Sequence, residues 1–176
     1  MLDSKKTVVV YRSKTGFTKN YAGWLAKRLD CTLLEGTKTS IKDLEAYDTI
    51  IYGSGLYAIG ISGIKLITKN FDQLKNKRLI VFAVGASPAR KDIIPELKKA
   101  NIPAEQQDKI ELYYLRGGFD YSRLSPFYKL LMKLKKLQLQ KMKEPDADAR
   151  GMLASYTNPL DFTAEKNLEP IIQSIL

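Results

Sequence analysis

A chain of 176 residues, 44% hydrophobic and 27% charged, has the size and makeup of one ordinary globular domain. Its single cysteine and its lack of histidine exclude an intrachain disulfide, the common zinc sites and any nucleophile pair built on histidine, so redox chemistry must come from a bound cofactor. The formal charge of +10 points to anionic partners. No apolar run approaches the roughly 18 residues that span a bilayer, and no signal-peptide pattern is visible. The expected location is therefore the cytoplasm, with peripheral contact at the inner face of the membrane left open.

In chain order, strand-like runs occur at Thr7 to Tyr11, Thr32 to Glu35, Thr49 to Tyr52, Leu79 to Val84 and Ile110 to Leu115. Several are continuously apolar or β-branched, as strands covered on both faces must be. Helix-period segments alternate with them at Thr18 to Leu29, Ile41 to Glu45, Ile64 to Leu74 and Asp92 to Ala100, and a last one runs from Ala164 to Ile175. Such alternation predicts an α/β fold: a doubly wound, five-stranded parallel sheet in the order 2-1-3-4-5, with helices on both faces. All 176 residues fit one domain, with a long insertion after the fifth strand at about 117–159. In this topology a ligand sits outside the carboxyl ends of the strands, which directs attention to Arg12 to Thr18, Gly53 to Ser62, Gly85 to Arg90 and Arg116 to Tyr121, the loops after the first, third, fourth and fifth strands.

The first of these loops reads SKTGFT, Ser13 to Thr18, and leads directly into a helix. Hydroxyls of Ser13, Thr15 and Thr18, with backbone amides near Gly16, suit a phosphate at a helix N-terminus. The patterns for nucleoside triphosphates and dinucleotides are both absent. A phosphate monoester fits, and so does a plain helix cap. The second loop, GSGLYAIGIS, offers Ser54, Gly55 and Leu56 as close-lying backbone and Tyr57 as a cover for a planar ring. In the third, GASPAR, the candidates are Gly85, Ala86, Ser87 and Arg90.

SKTGFT after a first strand resembles the flavodoxin signature Ser/Thr-x-Thr-Gly-x-Thr, with Lys14 and Phe17 at its variable positions. The resemblance implies FMN as cofactor, its 5′-phosphate on the first loop and its ring between the second and third. It also implies that a peptide carbonyl near Gly55 or Leu56 rotates to meet reduced flavin. Within that superfamily RGGFDYSRLSPFYKLLMKLKK is similar to the flavodoxin-domain group that includes menaquinone-dependent protoporphyrinogen IX dehydrogenase. The third loop has no aromatic residue, so Phe119 or Tyr121 is a candidate cover for one flavin face, unless that face is open. Arg90 either meets the N1 to O2 edge of the flavin or faces solvent. No side chain need act as a catalytic acid or base. The expected function is FMN-dependent electron transfer. Its alternatives are a protoporphyrinogen dehydrogenase with a quinone acceptor and a flavin-free binding module.

Between Arg123 and Lys143 lie seven basic residues and no acidic one. If Pro126 starts a helix, Phe127, Leu130, Leu131, Leu134 and Leu137 share one side, and Lys129, Lys133, Lys136 and Lys143 gather on another. Two fates are open for such a helix. It packs on the domain with a solvated lysine face, or it lies on an anionic membrane or an acidic redox partner. A redox protein or a quinone is the expected partner, and no nucleic acid is expected.

Overall fold

The structure, a computed structural model, describes residues 6–176. Its main strands are β1 (Thr7–Arg12), β2 (Thr32–Glu35), β3 (Thr49–Tyr57), β4 (Arg78–Gly85) and β5 (Ile110–Arg116). All are parallel and stand in the spatial order β2-β1-β3-β4-β5, as the sequence predicts. The helices are α1 (Phe17–Arg28), α2 (Lys65–Thr68), α3 (Phe71–Leu74), α4 (Ile93–Asn101), α5 (Pro126–Gln140), α6 (Ala147–Ser155) and α7 (Glu169–Ile175).

The continuously apolar strands are explained by two cores, one on each face of the sheet. Val8, Val10, Ile50, Tyr52, Leu79 and Val81 pack with Ile67, Leu74 and Leu97 on the side of α2, α3 and α4. Val9, Ile51, Ile80 and Phe82 pack with Tyr21 and Leu25 of α1 and Ile171 and Ile172 of α7 on the other. Burial of each such side chain contributes about 1.5–3 kcal/mol. At Gly53 a Cβ would lie 2.0 Å from Phe82 Cζ, so the ring fills the space that any other residue needs. The Tyr21 hydroxyl donates to Arg116 O at 2.6 Å and accepts from Asn167 Nδ2 at 2.7 Å, which satisfies a polar atom that α1 sends into this layer.

Several boundaries differ from expectation for local reasons. The single helix expected at Ile64 to Leu74 is two one-turn helices, α2 and α3, parted at Asn70, whose φ of −108° and ψ of 19° leave the helical region. The Asn70 side chain donates to Leu66 O at 2.9 Å and so competes with the backbone ladder. The terminal helix begins as a 3-10 turn, Glu165–Leu168, before α7. β3 runs on to Tyr57 and turns back, so that Leu56 pairs with Ile61 and Tyr57 with Gly60. Glycines in this stretch had suggested an open loop.

The insertion forms a lobe of its own elements. Gly118–Phe119 pairs antiparallel with Leu160–Asp161 at its base, and Phe162 N donates to Gly117 O at 2.9 Å. α5 starts at Pro126 as expected. α6 was not legible in the sequence, because a central Gly151 and weak amphipathicity blur its period. Asp146 caps it, accepting from Ala149 N at 2.7 Å. Of the two fates considered for α5, packing through its leucine side is contradicted. Phe127, Leu130, Leu131, Leu134 and Leu137 are exposed, while Leu139 is buried. Lys129 and Lys136 are accordingly half-buried rather than solvated, and the Lys136 ammonium lies 5.3 Å from the Tyr156 ring centroid. Helix and lobe are joined by hydrogen bonds from Tyr156 OH to Met132 O at 2.6 Å and from Tyr121 OH to Lys129 O at 3.3 Å.

Candidate functional site

Three loops converge at the carboxyl ends of β1, β3 and β4. In the first, Gly16 adopts φ 98° directly ahead of α1, a left-handed conformation that favours glycine. Its amide donates to Ser13 Oγ at 3.0 Å, so Ser13 shapes the turn while keeping its own hydroxyl proton free to donate. The first amides of α1 have no partners within the helix and carry the positive end of its dipole. Thr18 is buried, and its hydroxyl faces the second loop: a Cβ on Gly55 would lie 3.8 Å from Thr18 Oγ1 and 3.8 Å from the Tyr57 ring. Phe17 contributes differently from its neighbours. Its side chain is buried in the core against Gly117 and Gly118, and only its backbone faces the loop.

Two cations frame this loop. Lys14 Nζ stands 4.5 Å from the Tyr57 ring centroid and 4.4 Å from that of Tyr128, and donates to Tyr128 OH at 3.3 Å. Arg123 reaches in from the insertion. It donates to Thr15 O at 3.1 Å and pairs with Asp120 at 3.0 Å. Ser122 donates to Asp120 through its hydroxyl and its amide, which holds that carboxyl below the usual carboxylate range and keeps it ionised beside Arg123. Sequence reasoning missed Arg123 as a site residue. The available signal was its place as the first member of the basic run, just after RGGFDYS.

In the second loop Ser54 is fully buried, its hydroxyl 3.5 Å from Arg12 O. The Gly55 carbonyl, expected to be free to rotate, accepts from Ser62 N at 3.2 Å, and Leu56 is paired in the hairpin. Positive φ falls instead on Ala58, at 54°, in the turn beyond. Tyr57 is stacked at 4.8 Å and 35° against Tyr128 of α5, and burial pushes its hydroxyl pKa up to about 12. The aromatic that the insertion stacks on Tyr57 is Tyr128, which sequence reasoning missed; the candidate covers for the other ring face are Phe119, on one cavity wall with Ala86 and Ser87, and Tyr121. Those two pack with Tyr156, at 5.7 and 5.3 Å.

The third loop is built on backbone contacts. Gly85 O accepts from Gly117 N at 2.7 Å, Ala86 O from Arg116 Nε at 3.4 Å and Ser87 O from Tyr114 OH at 2.6 Å. Arg90 pairs with Glu96, 2.5 Å from its guanidinium, and a second cation beside this loop is Arg116, which lies 3.5 Å over the Phe162 ring. Two concavities flank Ala86 to Pro88. One, of about 540 Å³, includes Leu56, Arg90 and Tyr114. The other, of about 490 Å³ and mostly apolar, opens toward the insertion between Arg116, Phe119, Leu139, Met152 and Phe162. A larger cleft of about 870 Å³ touches the second loop at Ile61 and opens beside Arg12, Thr37, Lys65 and Lys69. Cys31 lies beside β2, away from the three loops, and burial pushes its thiol up to about 11. It is a packing residue.

These features define a doubly wound α/β domain with an anion-ready first loop and a glycine-rich, aromatic second loop. The flavodoxin domain family matches residues 8–147, and the chain belongs to that family. Among solved structures, a putative flavoprotein from Bacteroides eggerthii DSM 20697 is similar at 15% identity and a TM-score of 0.49, over 75% of this chain and 97% of its own. A WrbA-like flavodoxin from Agrobacterium tumefaciens is 22% identical with a TM-score of 0.45, over 64% of this chain and 84% of its own. A flavoprotein in complex with FMN from Lactobacillus acidophilus NCFM is 21% identical with a TM-score of 0.43, over 64% of this chain and 93% of its own. No curated protein matches significantly.

FMN suits the residues present. The open end of α1 with Lys14 and Arg123 beside it provides for a dianionic phosphate, and Tyr57 with the backbone of Gly85 to Ser87 provides for a planar ring with a polar edge.

Proposed function

We propose that the protein binds FMN across the three loops and transfers electrons through it. The observation that carries this reading is the first loop: a left-handed Gly16 opening α1, with hydroxyls at Thr15 and Thr18 and two cations beside it. Thr15, Thr18 and the first amides of α1 donate to the phosphate, while Arg123 and Lys14 offset its charge. Tyr57 limits where the ring lies, and the third-loop backbone meets its polar edge. When bound, FMN supplies one- and two-electron chemistry, and the protein supplies orientation and electrostatics. Replacing Thr15 and Thr18 together with alanine should weaken FMN binding at least ten-fold in a fluorescence titration, since hydrogen bonds to charged groups contribute about 1.5–3 kcal/mol each. Unchanged affinity would place the phosphate elsewhere.

One observation favours a second, enzymatic reading. The apolar cavity between the third loop and the insertion joins Phe119, Phe162 and Met152 to the cation of Arg116. That chemistry suits a flat, apolar, carboxylate-bearing substrate of the porphyrinogen class. Holoprotein supplied with protoporphyrinogen and a quinone acceptor should then turn over. Absence of turnover, with FMN bound, would leave the carrier reading alone.

A further inference from the structure

α5 turns its largest apolar side chains away from the protein. Phe127, Leu130, Leu131, Leu134 and Leu137 are 64, 58, 44, 57 and 48% exposed, and Met142 just past the helix is 43% exposed. Tyr128, Met132, Lys136 and Leu139 occupy the opposite side and make its contacts with the domain. At about 100° per residue the five outward side chains form one stripe about a third of the circumference wide. Lys133 borders one edge of the stripe and Lys135 the other, and both are exposed.

The chemistry of the rim selects the occupant. A second copy of this helix would bring two lysine-edged stripes together, with no acidic residue between Arg123 and Lys143 to pair them. The stripe is also the convex side of a single helix. A negatively charged lipid surface meets both features. It accepts apolar side chains to the depth of the acyl-chain boundary, and lysine stems extend along that boundary to place their ammonium groups among the headgroups.

We propose that α5 lies flat on an anionic bilayer, with Phe127, Leu130, Leu131, Leu134 and Leu137 in the acyl-chain boundary and Lys133 and Lys135 at the headgroups. Because Tyr128, on the other side of the same helix, stacks on Tyr57, this attachment holds the second loop about one helix diameter, roughly 10 Å, from the lipid surface. The attachment itself does not depend on FMN, so its failure and failure of the flavin reading are separate results.

Flotation of the full chain with vesicles tests it. The chain should float with vesicles of equal parts phosphatidylglycerol and phosphatidylcholine and stay behind with phosphatidylcholine alone. L131E together with L134E should reduce flotation at least ten-fold with an unchanged thermal melt, since both side chains are exposed. K133Q together with K135Q should reduce it several-fold, and a variant that melts early is set aside in favour of this second pair. Any of three results overturns the proposal: no flotation with anionic vesicles, flotation unaffected by the leucine pair, or equal flotation with phosphatidylcholine alone. So does a dimer in sedimentation that the leucine pair dissociates while vesicles capture nothing, because the stripe would then be covered by a second copy.

Discussion

Apolar side chains crowd both the central strands, as valine and isoleucine, and α5, as leucine, yet the two regions use them in opposite ways. In β1, β3 and β4 nearly every apolar side chain is buried against one of two cores, and a pattern without alternation is the mark of a strand covered on both faces. In α5 the apolar residues keep a strict helical period, and four leucines and a phenylalanine of that period face outward. Hydrophobic pattern thus identifies the element in both cases, but it does not say what covers the apolar side. For the strands the covering is the rest of the chain. For α5 the rest of the chain supplies none, because the domain holds the helix by its other side through Tyr128, Met132 and Leu139.

The contrast breaks most sharply at Gly53. Replacing Gly53 with alanine drives a methyl into the buried Phe82 ring and should lower stability by about 3 kcal/mol in denaturant unfolding. A loss below 1 kcal/mol would mean that the core yields there and is not tightly packed. Arg123→Ala acts at the junction of the two regions, because Arg123 belongs to the insertion and reaches the first loop of the sheet domain. FMN affinity should fall about ten-fold at low salt, with a smaller loss at high salt, where the charge is screened. Unchanged affinity would separate the insertion from the flavin site. The smallest effect is expected at Leu134. Leu134→Ala should leave stability within about 0.5 kcal/mol, against the 2–5 kcal/mol expected for Leu25→Ala in the core. A loss of core size would show that the stripe is packed in solution.

The same contrast separates what could be read in the sequence from what could not. Strand order follows from five apolar runs alternating with helical periods, and the first loop follows from hydroxyls and one glycine between a strand and a helix. Both depend on residues close together in the chain. What was missed depends on residues far apart. Arg123 meets Thr15 across 108 positions and Tyr128 meets Lys14 across 114, contacts that no local period announces. The pairing of Arg90 with Glu96 was hidden because it crosses a helix start, and the contact of Arg116 with Ala86 O because it spans 30 positions. The hairpin at Leu56 to Ile61 was hidden because glycine spacing is the same for an open loop and a tight return. The direction of α5 was hidden for a physical reason: an amphipathic helix with polar residues such as Tyr128 and Lys136 on its inner side reads in sequence like one turned the other way.

Titrating the purified chain in parallel with FMN and with riboflavin asks whether the first loop holds the phosphate of a bound flavin. Riboflavin has the same ring and lacks the phosphate. One FMN per chain, with riboflavin bound at least about 100-fold more weakly, is the expected result, because the charge-assisted contacts at Thr15, Thr18, Lys14 and Arg123 then have nothing to hold. Equal affinity for the two, or no binding of either, would contradict the account and leave Gly16 and its neighbours as the cap of α1.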